Sequence, residues 1–190
     1  MNPENLLRSS SVTTKLASPR AAIFVAEESS LSASRELTEI SLRPAVCDAV
    51  EQAAASSDAT GVRALRVLLH AGLSAYWPLV KAAPARRIAA YEAALQTLRQ
   101  RWAPATGDTI GDPTAVAMFR EMDDEAADFL GMCARLSGTQ WLEPVDSVAG
   151  YLVSVFHGAV LRWLADGDDE TILVVIDDLV GCLTLKAVES

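Results

Sequence analysis

The chain is short of the residues that carry most metal and nucleophilic chemistry. It has two histidines and three cysteines in 190 residues. His70 and His157 lie far apart, each inside an apolar helical run, with no His-Glu-x-x-His and no partner constellation around either. Both read as core or pocket residues. Cys47, Cys133 and Cys182 are odd in number and widely spaced, which excludes a paired disulfide framework and a zinc motif. They read as reduced, buried thiols of a cytoplasmic protein. No Gly-x-Ser-x-Gly elbow and no glycine-rich phosphate loop occurs. No catalytic residue, cofactor or metal is therefore expected, and the chain does not read as an enzyme. Apolar runs are also limited in length. The stretches 151–161 and 172–185 are broken by Arg162 and by Asp177-Asp178, short of the roughly 18 uninterrupted residues of a membrane span. Met1-Asn-Pro-Glu lacks the basic start and apolar stretch of a secretion signal.

Basic charge is scarce too. Sixteen Lys and Arg face twenty-five Asp and Glu, for a net charge of −9. The imbalance is uneven along the chain. Residues 1–44 carry five basic and five acidic side chains, residues 45–102 seven and four, and residues 103–190 four and sixteen. The acidic C-terminal half would repel a phosphate backbone, so any nucleic-acid contact belongs to the N-terminal half.

What is abundant is helix-forming apolar residue. Ala, Val, Ile, Leu, Met, Cys and the aromatics make up 51% of the chain, enough for one domain with a substantial core. Residues 9–34 are serine-rich, with a single short apolar run at Ala21-Ala-Ile-Phe-Val-Ala. A helix opens near Ser34 and restarts at Pro44. Ser57-Asp58 reads as the cap of the next helix, in which Val62, Leu65, Leu69, Leu73 and Tyr76 share one face until Pro78 kinks or ends it. Pro84 starts another, with Ile88, Tyr91, Leu95, Leu98 and Trp102 as its stripe. Residues 103–112 read as a loop. Pro113 opens a helix reaching about Leu136, with Val116, Phe119, Ala126, Phe129, Leu130 and Cys133 inward and Asp123-Asp-Glu as a solvated face. Two apolar helices follow, from about Pro144 and from Thr171 to Val188. The acidic turn between them, Asp166-Gly-Asp-Asp-Glu, reads as a helix cap rather than a cation site. No strand-rich stretch competes, so the expected fold class is all-α.

In the first of these last two helices Gly150, Ser154 and Gly158 recur every four residues. A stripe of small side chains lets another helix approach closely, and it points to a helix-bundle interface of the kind found between subunits. Gly150, Ser154, Gly158 and Leu161, with Ile172, Val175, Ile176, Leu179 and Leu183 on the final helix, give the expected dimer surface.

Three stretches carry a resemblance. Trp77-Pro-Leu-Val-Lys-Ala-Ala-Pro precedes Tyr91-Glu-Ala-Ala-Leu-Gln-Thr-Leu-Arg. Phe156-His-Gly-Ala-Val-Leu-Arg-Trp-Leu-Ala-Asp-Gly-Asp then leads into the final helix from Ile172. In this order and spacing, from about Glu36 onward, the chain resembles the ligand-binding and dimerisation domain of TetR-family transcriptional regulators. The resemblance implies a homodimer built on a four-helix bundle of the last two helices. It further implies a small apolar or amphipathic effector within the helical body, and operator DNA as the second partner. Residues 1–44 stand where the family's DNA-reading head would be, yet no helix-turn-helix and no aromatic stretch is legible there. A headless ligand-binding or heterodimerising modulator is the alternative. Residues 45–190 form the expected ligand-binding and dimerisation domain. Its ligand residues are Tyr76, Trp77, Tyr91, Leu95, Met118, Met122, Phe129 and His157, with Tyr91 and His157 as polar anchors and the methionines as an adaptable wall.

Overall fold

A computed structural model describes residues 44–101 and 113–190. Among them are six helices: α1 (Ala45–Ser56), α2 (Gly61–Lys81), α3 (Pro84–Arg101), α4 (Pro113–Ser137), α5 (Val145–Asp166) and α6 (Asp169–Thr184). The all-α expectation is met for the bulk of this part of the chain. The expected serine-rich segment, the helix opening near Ser34 and the loop 103–112 lie outside the described residues, as does Trp102.

The framework is α2, the helix with the most continuous buried face. Leu65, Leu68, Leu69, Leu73 and Val80 point into the core, spaced so that one stripe faces α1, α4 and α6 together. α4 then packs on α5, and α5 on α6. Pro78 does not end α2. The helix runs on to Lys81, and the Ala82 N–H donates to the Pro78 carbonyl at 3.0 Å. Nor do Ser57 and Asp58 cap it: Ser57 Oγ accepts from the Ala59 N–H at 3.2 Å, and α2 opens two residues later.

The acidic turn is a working cap. Asp168 accepts from the Glu170 and Thr171 N–H groups at 3.0 and 3.3 Å, satisfying two orphan donors of α6. These bonds, and that from the Thr171 hydroxyl, hold its carboxyl below the usual range. Gly167 closes α5 in the left-handed region, φ 70°, with its N–H on the Trp163 carbonyl. That conformation costs glycine little and a β-carbon more.

The chain's end departs from expectation. The last helix stops at Thr184, and β2 (Ala187–Glu189) pairs antiparallel with β1 (Thr139–Trp141), Gln140 opposite Val188. Three-residue strands have no periodicity to read, and their pairing spans some fifty residues of chain, so local pattern missed them. α5 has one further property. It is long and apolar enough, by length and composition alone, to cross a membrane, with mean hydropathy 1.4 over its best window. Here it gives Val148, Ala149, Leu152, Val153, Phe156 and Val160 to the domain core.

The closest approach in the core is that of α4 to α2. A β-carbon on Gly72 would lie 2.3 Å from Phe129 Cε2 and 3.2 Å from Val50 of α1. Gly72→Ala is accordingly expected to destabilise the domain by about 1–3 kcal/mol, although alanine is the better helix former by about 1 kcal/mol. At Gly181, where an added β-carbon meets nothing within 4 Å, the same change should stabilise by up to about 1 kcal/mol. Urea titration of both variants reads the two signs. A Gly72→Ala protein as stable as its parent would mean that Phe129 has room to retreat.

Candidate functional site

Three helices line a partly open cavity of about 50 Å³. α2 supplies Leu73 and Tyr76; α4 supplies Met122, Glu125, Ala126 and Phe129; α5 supplies Leu152, Val153, Phe156 and His157. The walls are almost wholly apolar, and three of the ten side chains are aromatic rings without charge. Tyr76 and Phe156 lean on one another at 5.2 Å between centroids, so two of the rings hold each other in place.

Behind this wall α3 brings up a polar layer. The Arg87 side chain, only 2% exposed, donates from Nη2 to the Tyr76 hydroxyl at 3.0 Å and lies 5.9 Å over the same ring. One turn on, the Tyr91 hydroxyl stands 3.0 Å from His157 Nδ1 and 3.4 Å from the His157 carbonyl. The tautomer of the neutral ring decides which group donates across the Nδ1 contact, and the phenol donates across the longer one to the carbonyl. Burial sets the ionisation of both partners. It pushes the Tyr91 phenol up to about 12, with Arg87 opposing and Tyr76 adding. It pulls the His157 imidazole down to about 4, and the Arg87 charge pulls the same way. At neutral pH the pair is an uncharged hydrogen bond inside an apolar wall.

The expected ligand residues divide on this geometry. Tyr76, Met122, Phe129 and His157 line the cavity, and Tyr91 holds His157 from behind. Trp77 is buried elsewhere, edge-on to Trp163 at 5.0 Å, and the Trp163 indole N–H donates to Asp169 at 2.9 Å. Leu95 is 52% exposed and lies on the outer side of α3. The Met118 side chain is outside the described residues. Arg87 and Glu125 were missed. The stripe drawn through Ile88 and Leu95 is one position out: Ile88 is 45% exposed, whereas Arg87, Tyr91, Ala94 and Leu98 keep the inward spacing. An arginine on an apolar stripe is rejected by hydropathy alone, and only the spacing betrays it. Glu125 belongs to a run expected to face solvent, but it reaches the cavity wall. Val116 and Phe119, expected inward on α4, are exposed, and so is His70, whose Nδ1 meets Ser74 Oγ at 3.2 Å. Cys133 is buried, Cys47 half-buried, and Cys182 exposed against the expectation of a buried thiol; all three are free.

The expected dimer surface also divides. Ile172, Ile176, Leu179 and Leu183 of α6 are at most 2% exposed and pack into the chain's own core. They offer nothing to a partner. Apolar residues stand on more than one side of α6, Leu173 and Val174 as well as Ile172 and Ile176, so its sequence did not say which side turns inward; packing against α2 and α5 decides it. Val175 and Gly150 are half-buried. On α5, by contrast, Ser154, Gly158 and Leu161 stand exposed, in line with Tyr151. On α6, Leu173 and Val174 are 53% and 60% exposed, apolar surface that Asp177 and Asp178 end. A β-carbon on Gly158 would meet nothing within 4 Å. Among the described residues no group of three His, Cys, Asp or Glu is placed to hold a metal ion.

No protein-family model, curated protein or solved structure matches this chain. What the site does must be argued from its geometry.

Burial of His157 gives stability a pH dependence. Above pH 6.5 the imidazole is neutral in folded and unfolded chains alike. Between 6.5 and about 4 only the unfolded chain takes up the proton, so stability falls as the pH falls, by about 3 kcal/mol in all. Urea titrations across this range should show the loss in the parent and its absence in His157→Gln. Parallel curves for the two proteins would mean that the imidazole is charged, or solvated, in the fold.

Proposed function

We propose that this chain is a TetR-like transcriptional regulator, with an effector held in the α2–α4–α5 cavity and a homodimer formed through the outer side of α5. The observation that carries the reading is the cavity itself: an apolar, partly open space between helices, with His157 in its wall and Tyr91 hydrogen-bonded to it from behind. Protein interiors close such voids unless something occupies them or the empty space is tolerated at a cost. A site of this kind fits a small apolar or amphipathic molecule. The uncovered strip Tyr151, Ser154, Gly158 and Leu161, with Leu173 and Val174 exposed on α6, supports a partner helix on the outer side of α5. On this reading DNA contact belongs to the segment before α1, and the effector releases operator by shifting the dimer between two arrangements. The protein then works in the cytoplasm, where operator DNA is.

The balanced charge of residues 1–44, five basic against five acidic, favours one competitor: a headless modulator that shares its dimer surface with a genuine regulator. Selection of genomic DNA fragments by the purified full-length protein at moderate salt separates the two. Enrichment of a palindromic site is the expected result. A folded, dimeric sample that enriches nothing would sink the regulator reading in favour of the modulator.

The dimer surface has its own test. Because space is open at Gly158 in the single chain, Gly158→Leu should leave helix content intact while driving the protein to monomer in analytical ultracentrifugation. An unchanged dimer would remove α5 from the interface.

A further inference from the structure

The walls of the cavity restrict what it takes more narrowly than "apolar", and the restriction comes from charge. Glu125 lines the cavity from α4. Arg87 lies behind Tyr76, near enough for its charge to act on both Tyr91 and His157. A ligand charge of either sign meets one residue of its own sign and one of the opposite sign, so neither sign is selected. A charged ligand would also leave its water for walls built from Leu73, Phe129, Leu152 and Phe156.

Size and shape narrow the choice further. At about 50 Å³ the void exceeds the roughly 10–15 Å³ that one water needs, and is smaller than the roughly 150 Å³ of an apolar cavity known to admit benzene. A single ring enters if the unbranched Met122 chain gives way, which is the movement methionine makes most easily. Tyr76, Phe129 and Phe156 present three ring surfaces, with Tyr76 and Phe156 already tilted at 40° to each other. Edge and offset contacts with another ring suit such a wall. One polar function remains. Nδ1 of His157 is occupied by Tyr91, so Nε2 is the hydrogen-bonding atom this residue has left for a guest.

We propose that the cavity binds a neutral, single-ring aromatic molecule bearing one hydroxyl or carbonyl, of the size of a substituted phenol, with its polar atom at His157. The proposal rests on the effector reading and specifies the ligand of that site.

The test uses the full-length protein and four single-ring molecules of different charge and polarity: toluene, p-cresol, benzoate and benzylammonium. Calorimetric titration should give saturable binding of p-cresol, with toluene weaker by about fivefold, the worth of one net hydrogen bond. Benzoate and benzylammonium should bind at least about tenfold more weakly than p-cresol. Methyl shifts in carbon–proton spectra should move at Leu73, Met122 and Leu152 on adding p-cresol. Ala126→Leu fills the void and should abolish binding; Val153→Leu serves if that variant does not fold. A charged ring held as tightly as p-cresol would overturn the ligand class. No saturable binding by any of the four, or binding that survives a folded cavity-filling variant, would overturn the site. Operator capture with no ring bound would end this inference alone. Bound p-cresol without operator capture would leave the site standing and end the regulator reading.

Discussion

Phe129 can lie where it does only because residue 72 has no side chain. Its ring edge occupies the space a β-carbon on Gly72 would need, with Val50 of α1 close by. That one contact fixes how near α4 comes to α2 and how α1 lies over both. It also sets the cavity, because the same ring forms part of its wall. Anything that displaces Phe129 must therefore act on α2 and on α1 together. A packed core responds to such a push by rearranging between discrete arrangements rather than by yielding smoothly.

The polar layer behind the cavity follows a different logic. Arginine stays protonated wherever it is placed, so bringing Arg87 to 2% exposure carries a desolvation cost that hydrogen bonds and ring contact offset only in part. The guanidinium then biases its neighbours. It reinforces the burial that keeps His157 neutral and works against the burial that keeps Tyr91 protonated. The outcome is a phenol–imidazole hydrogen bond between two uncharged groups.

The sequence made the helical class and most helix positions legible, because α2 and α5 bury faces with clean three-and-four spacing. It made part of the site legible for the same reason: Tyr76, Phe129 and His157 stand out as rare residues on apolar stripes, and rarity plus spacing was enough. Where reading failed, the physics was non-local. Arg87 is inward despite its charge because Tyr76, eleven residues earlier on another helix, accepts from it. Ile172, Ile176, Leu179 and Leu183 turn inward because α2 and α5 lie on that side, a fact absent from a helix with apolar residues on more than one side. The terminal strand pair depends on partners far apart in the chain. The places of Trp77 and Leu95 are likewise settled only by neighbours: Trp77 packs on Trp163, and Leu95 meets solvent.

His157 and Gly158 are adjacent on α5 and face different ways. One lines the cavity and the other lies in the uncovered small-residue strip. Successive residues on a helix are about 100° apart, so a rotation or shift of α5 that relieves strain at His157 necessarily repositions Gly158. If a second copy of the chain covers that strip, as proposed, the helix joins ligand and partner with no intermediary. Close-approach interfaces are sensitive to small movements because backbone meets backbone without side chains to absorb the change. A ligand need therefore shift α5 by little to alter how two subunits sit, which is the property a sensor built on this helix requires.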